Sequence, residues 1–417
     1  MEKSGKFRLT SLERNWILYD VGNSAFVLMV ATLIPIFFNA LAEAGGLSSV
    51  EYLAYWGYAS SAVTVITAVL SPILGTVADT KGFKKPIFIL CVFVGIVGCC
   101  AMGAASAWLP FLVIFVIAKV GFSGSLVFYD SMLSDVTTPE RMDEVSSRGY
   151  AWGYIGSCVP FVVCLGLVLG AGSIGISQMT ALNLALLLTA AWWLLTTLPL
   201  LKSYKQLYYV EVEKHAVRQS FARIGHTLRH LPADKQVFWF LLAFFCYIDG
   251  VYTIIDMATA YGTALGLDTT GLLLALLVTQ IVAFPSALVF GRLSNKYPSA
   301  KLIPVCIAAY AGIAVFAFFL TQQWQFWVLA VIVGMFQGGV QALSRSHFAK
   351  IIPPEKSGEY FGLFDICGKG ASFLGTMIVS VGSQLTGSAN VGVGSLIVLF
   401  IVGFVLFRVS CRQGETV

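Results

Sequence analysis

Three charged side chains, Lys119, Asp249 and Lys369, lie well inside long apolar runs, where placing a charge costs at least about 2.5 to 3.5 kcal/mol. Such residues face a cavity or a partner, and so mark a route for solutes or ions. Lys119 stands about ten residues from one end of its run, on the order of 15 Å deep at 1.5 Å per residue. Asp249, Tyr252 and Asp256 are spaced by three and four, which puts them on one face of a helix. Asp249 falls at roughly the depth of Lys119. Two readings compete for it: a static pair with Lys119 or Lys369, or proton coupling through a carboxylate tuned by burial or by a lysine. Asp365 and Lys369 have the i, i+4 spacing of an intrahelical ion pair. Alternatively, Lys369 stands opposite Lys119 as a second cation, an arrangement suited to a solute with a carboxylate or another anionic group. Asp20, Asn23 and Ser24 share a face near one end of the first run, as a gate or as part of a binding site. Gln337 and Gln341, with Gln280, offer hydrogen bonds to a polar solute or serve ordinary helix packing.

Lipid-embedded helices must position these groups. Of 417 residues, 58% are hydrophobic and 11% charged, against roughly 45 to 50% and about 25% in soluble domains. Apolar runs predict spans near 15–40, 51–78, 86–107, 109–134, 146–170 and 179–201, then near 236–264, 270–293, 301–320, 324–350, 357–384 and 390–410. The expected organisation is an N-terminal six-helix bundle (1–201), a polar cytoplasmic linker (202–235) and a C-terminal six-helix bundle (236–417). The first fifteen or so residues are polar and the first apolar run is span length, so no cleavable leader is expected.

Of the 26 lysines and arginines, 24 fall in the tails and in connections on the side of the N-terminus. By the positive-inside rule both termini are expected in the cytoplasm. The net charge of +5 is therefore topological and no sign of nucleic-acid binding. The halves also repeat: GTVADTKGFKKP from Gly75 returns weakly as GRLSNKYPSAKL from Gly291, and Pro139-Glu140-Arg141 as Pro354-Glu355-Lys356. Parallel six-span repeats with a midplane site between them are a transporter architecture.

The segment Gly75, Asp79, Gly82, Lys84 and Lys85, between the second and third spans, resembles the loop signature of the major facilitator superfamily. The resemblance implies an all-α fold of about twelve transmembrane helices in two pseudo-symmetric six-helix bundles, without cofactor or metal. It also implies a close approach of spans 2 and 11 at Gly75, and a gate in which Asp79 meets a helix N-terminus and a cation. Within that superfamily, Tyr19-Asp20-Val21-Gly22-Asn23-Ser24-Ala25-Phe26 resembles the Tyr-Asp-Trp-Ala-Asn-Ser-Ala-Phe motif of fungal autophagy-linked vacuolar effluxers and their bacterial relatives. It departs from that motif at Val21 and Gly22. Tyr129, Asp130, Asp135, Pro139, Glu140, Arg141, Gly149 and Gly153 resemble the same branch. Spans 1, 4, 7 and 10 of this fold line the cavity, which assigns Lys119 to substrate or coupling. Asp130, Arg148 and Asp365 are expected at the gate. The branch implies amino-acid efflux from a bacterial cytoplasmic membrane by a monomer.

The expected function is thus secondary active transport of a small polar, carboxylate-bearing solute, an amino acid or organic anion, by alternating access with proton-coupled efflux. A lipid or drug exporter and a transporter-like sensor are the alternatives. Enzymatic readings fare worse. Gly121-Phe122-Ser123-Gly124 matches a rhomboid-type serine motif, but none of the four histidines lies deep in a span, and the serine requires a base within hydrogen-bond reach. A Walker loop is absent from the sequence, which argues against ATP as the driving force. Eight of the nine cysteines fall in apolar runs and are expected to be inert packing thiols.

Overall fold

The computed structural model describes residues 7–211, 225–227 and 229–414, with side chains left out at 49, 50, 53, 259, 260, 263, 264, 269, 270, 273 and 369–373. Among the described residues twelve long helices carry the fold. They are α1 (Ser11–Ala44), α2 (Ser49–Ala78), α3 (Lys84–Gly103), α4 (Trp108–Ser131), α5 (Met142–Leu169), α6 (Gln178–Ser203), α7 (Lys235–Ala264), α8 (Thr269–Leu293), α9 (Ser299–Phe318), α10 (Gln323–Ile351), α11 (Ser357–Thr386) and α12 (Ala389–Gly414). Eleven of them, all but α11, are long and apolar enough among the described residues to cross a membrane. Their number and order agree with the predicted spans.

Local chemistry sets the boundaries. Thr10 caps α1 by accepting from the Glu13 amide while the Glu13 carboxylate accepts from the Thr10 amide, and Ser48 and Glu51 repeat this capping box at α2. α1 is broken at Thr32, whose hydroxyl donates to the Leu28 carbonyl three residues before Pro35. α11 ends on Gly387 in the left-handed region, φ +69°, where a Cβ carries a steric penalty.

The packing is a doubled pattern. In the first half α1 packs on α5 and α6, α3 on α4 and α6, and α2 on α4; adding six to each label gives contacts of the second half, α7 on α11 and α12, α9 on α10 and α12, and α8 on α10. Across the halves α2 meets α11 and α5 meets α8, which are one contact related by the same pseudo-symmetry. The weak internal repeat in the sequence thus has its structural counterpart. Odd-numbered helices start, and even-numbered helices end, at the face that carries both chain termini, called below the terminal face.

Candidate functional site

The terminal face is sealed by the residues of the Gly75 segment. At Gly75 a Cβ would collide with the Gly358 carbonyl, and at Gly362 it would lie 2.6 Å from the Pro72 Cα, so only glycine lets α2 and α11 come this close. That approach brings Asp79 to the N-terminus of α11, where its two carboxylate oxygens accept from the amides of Gly358 (2.7 Å) and Glu359 (2.8 Å). A carboxylate there satisfies amides that have no partner within the helix and lies at the positive end of the helix dipole. Buried Lys84 lies 3.8 Å from Asp79 and 3.4 Å from Asp135, and donates to the Ser357 hydroxyl at 2.9 Å. Burial pushes the Asp79 carboxyl up to about 7, with Lys84 and the two amides pulling it back. Gly82 turns the connection at φ +80°, and Lys85 is half-buried. The seal continues on the other flank: the Ser346 hydroxyl and Lys350 both bind Asp143 at 2.6 Å, and Asn295 donates to Glu144 at 2.7 Å. Arg148, expected at the gate, pairs with Glu144 on its own helix and lies over the Phe7 ring.

Asp135 also binds the segment that follows α6. It accepts from the Tyr204 hydroxyl and from the amides of Leu207 and Tyr208, both at 2.9 Å. Val210 then pairs with the Asp79–Lys81 connection, donating to the Asp79 carbonyl at 2.8 Å and accepting from the Lys81 amide at 3.1 Å. Removing a buried acceptor with several donors costs about 1 to 3 kcal/mol for each donor stranded. Asp135→Ala is therefore expected to free residues 204–210, read as cleavage in this segment under limited proteolysis at protease levels that leave the wild type intact.

Beyond the seal lies a central cavity of about 380 Å³ lined by Asp20, Asn23, Asp130, Tyr252, Asp256, Gln280, Gln337, Gln341, Arg345 and Asp365, among others. Its floor is built on Arg345. The guanidinium donates to Asp130 at 2.9 Å, reaches Asp20 at 3.8 Å and donates to the Ser146 side chain and carbonyl. Its faces are covered by Trp16 at 4.7 Å and Tyr150 at 4.3 Å, where the ring quadrupoles favour a cation. The two Tyr-Asp pairs converge here: the Tyr19 and Tyr129 rings stand 4.9 Å apart while Asp20 and Asp130 share the arginine. Asp130 and Arg345 are separated by 215 residues, the repeat offset, so equivalent positions of the two halves hold opposite charges that pair across the pseudo-symmetry axis. Arg345 counts for topology with the cations on the side of the N-terminus, although the predicted span 324–350 contains it; it lies in α10 and is buried at 2% exposure.

The other expected residues divide. Asp256 opens to the cavity and feels the charge of Lys119, which sits over the Phe122 ring at 4.7 Å and the Phe26 ring at 5.9 Å. Asp249 does not line the cavity: it is fully buried against α11, accepting from the Gly375 amide at 2.9 Å and the Thr253 hydroxyl at 3.3 Å. Of the readings open for Asp249, a static pair with Lys119 or Lys369 or proton coupling, the described contacts give it α11 and Thr253 as neighbours, because α11 packs on α7 at the level of Asp249. Asp365 accepts from Ser71 of α2 at 2.7 Å, bridging the halves. The Lys369 side chain lies outside the described residues. Gln341 accepts from the Tyr154 hydroxyl at 2.8 Å, also across the halves. Asn23 is buried and donates to the Tyr19 carbonyl at 3.0 Å. Among the described residues no cluster of histidine, cysteine, aspartate and glutamate could hold a metal ion.

A charged cavity near the middle of two pseudo-symmetric six-helix bundles, sealed on one face by a glycine contact and an aspartate-capped helix, defines a membrane transporter of the major facilitator fold. The chain belongs to the family described as vacuole effluxer Atg22 like, whose model matches residues 11–142 and 134–416. It is similar to the MFS-type transporter YxiO of Bacillus subtilis (strain 168), 42% identical over 98% of this chain and 97% of that one. It is also similar to autophagy-related protein 22 of Coccidioides immitis (strain RS), 25% identical over 65% of this chain, and spans about half the length of such fungal relatives. Among solved structures, the human organic anion transporter MFSD10 matches with TM-score 0.72 at 14% identity over 95% of this chain and 98% of that one. FucP in its outward conformation matches with TM-score 0.70 at 16% identity over 96% and 97%. These two share the fold.

Proposed function

We propose that this protein moves a small polar solute of the amino-acid or organic-ion class by alternating access, coupled to protons, as a monomer in a bacterial cytoplasmic membrane. Both termini lie in the cytoplasm in this reading, so the described state is closed inward and open outward. The observation that carries it is the pairing of a sealed terminal face with a cavity whose acidic residue Asp256 stays open, although it stands some 20 residues up α7 from that face. Breaking the seal would require the Asp79 amide bonds, the Lys84 contacts and the Arg345 floor to give way together, and each is a polar contact that water can replace. Proton coupling is assigned to Asp256 with Lys119 as its cationic neighbour, since a carboxylate reached from a cavity can exchange protons with solvent.

The test is uptake of a labelled amino-acid and organic-ion panel into proteoliposomes, with and without an imposed pH gradient. Gradient-driven uptake is expected for the wild type, with a loss of at least about tenfold, the scale of one coupling-sized 1.4 kcal/mol, in Asp256→Asn and Lys119→Ala. Asp249→Asn is expected to retain coupling and to lose stability instead, since Asp249 serves the contact between α7 and α11. Equal uptake with the gradient collapsed, together with wild-type behaviour of both cavity variants, would sink the coupling assignment.

A further inference from the structure

Two carboxylates share one cation on the cavity floor, and they share it unequally. The Arg345 Nη1 donates to Asp130 at 2.9 Å and stands 3.8 Å from the Asp20 Oδ2. That oxygen is buried without a hydrogen-bond partner, and so is the hydroxyl of Tyr129 close beside it. Glycines keep the space around it open: a Cβ at Gly149 would lie 3.1 Å from Oδ2, and one at Gly153 3.6 Å from the carboxyl carbon. A buried ionised carboxylate calls for several donors. The neutral acid calls for one acceptor, and the Tyr129 oxygen supplies it, so a single proton on Oδ2 satisfies both orphaned atoms.

The carboxyl is also within reach of solvent. Asp20 lines the central cavity and its side chain keeps 10% exposure, so cavity water exchanges protons with it. The titratable groups that face it are Arg345 of α10, Tyr129 and Asp130 of α4, Tyr150 and Tyr154 of α5, and Tyr19 of its own helix. Asp256 and Asp365 stand across the cavity. The titratable side chain of α6, which also packs on α1, is Lys202, exposed at the terminal end. Arg345 is thus the cation of this group, and Asp130 holds it by the shorter contact. A proton on Asp20 leaves that contact in place and removes one of the two charges that draw α10 of the second bundle onto α1 and α4 of the first.

We propose that Asp20 is a proton-operated latch of the terminal seal. A proton taken from cavity water neutralises it, Arg345 is then held by Asp130 alone, the terminal face opens more readily, and the proton leaves to water on that side; only an O–H bond forms and breaks. This rests on the transport reading above and links the proton to closure, since Asp256 is not among the residues that seal the terminal face. The test uses the full-length Ser346→Cys protein in proteoliposomes, labelled from the terminal side with an impermeant maleimide while the pH of the opposite side alone is varied. The protein that keeps Ser346 gives the background from the native cysteines. One linked proton changes the ratio of open to sealed forms by up to about tenfold per pH unit, and labelling is expected to accelerate toward that factor on acidification. Asp20→Asn, neutral at every pH, should label fast and lose the response, while Asp20→Glu keeps it. Infrared spectra read the proton itself, should the asparagine loosen the fold: a carboxylic-acid band is expected to grow in on acidification and to move in Asp20→Glu. Wild-type labelling indifferent to pH, an unaltered response in Asp20→Asn, or the same infrared titration in wild type and Asp20→Glu overturns the latch. The transport reading is judged separately, by uptake of the solute panel into wild-type proteoliposomes. Gradient-driven uptake beside a failed latch leaves alternating access standing with the proton acting elsewhere; no uptake under any gradient removes the transport reading instead.

Discussion

Gly75→Val is expected to hold the terminal face open and to abolish transport while leaving the protein folded. A Cβ at this position would fall far inside van der Waals contact with the Gly358 carbonyl group, 2.7 Å from its carbon, and backbone cannot rotate away as a side chain can. Overpacking of this kind costs about 1 to 3 kcal/mol, which shifts the balance between sealed and open forms by roughly 5- to 150-fold. The contact joins α2 of one half to α11 of the other, so the penalty falls on the seal. Labelling of Ser346→Cys by a membrane-impermeant thiol reagent, applied from the terminal side, should accelerate by a similar factor. Gly358→Ala should have the same effect, because its Cβ would lie 2.8 Å from the Asp79 carboxylate and displace it from the α11 amides. Unchanged labelling in both variants would show that the glycine contact does not govern closure.

Arg345→Met is expected to be the most destabilising single change in the cavity. It leaves buried Asp20 and half-buried Asp130 side by side without their shared cation, a loss of up to about 3 to 5 kcal/mol, the scale for one partner of a buried pair. Arg345→Lys should recover little of it, since one ammonium cannot hold Asp130 and Ser146 at once while lying flat between Trp16 and Tyr150. Adding Asp20→Asn and Asp130→Asn to Arg345→Met should restore most of the thermal unfolding midpoint in detergent by removing the stranded charges. A triple variant no more stable than Arg345→Met would mean that the arginine acts mainly through packing.

The sequence made the span count, the repeat and the gate legible because each rests on local signals: apolar length, cation placement, and a glycine and an aspartate at fixed spacing. Gly75 and Asp79 stand where the resemblance put them. The cavity was legible only in part. Asp249 and Asp256 occupy nearly one helical face, and no local pattern tells which portion of that stripe a neighbouring helix covers. Packed helices cross at an angle, so α11 hides the lower carboxylate and leaves the upper one open. The aromatic surroundings of Lys119 come from α1 and its own helix, which spacing alone does not join. Arg345 was passed over because it lies close to a polar connection. Its position one repeat offset from Asp130 was the available clue.

The pairing of Asp130 with Arg345 also sets an order of events during synthesis. The two partners are 215 residues apart in the chain, and ribosomes add about 5 to 20 residues per second. The first bundle therefore spends roughly 10 to 40 s in or beside the insertion machinery with Asp20 and Asp130 lacking their countercharge. Facing lipid those carboxylates would carry the penalty of uncompensated charge, so the nascent half is expected to keep them turned to water until α10 arrives. Completion of this chain is thus an act of charge delivery: the tenth helix brings the cation that lets the first and fourth settle.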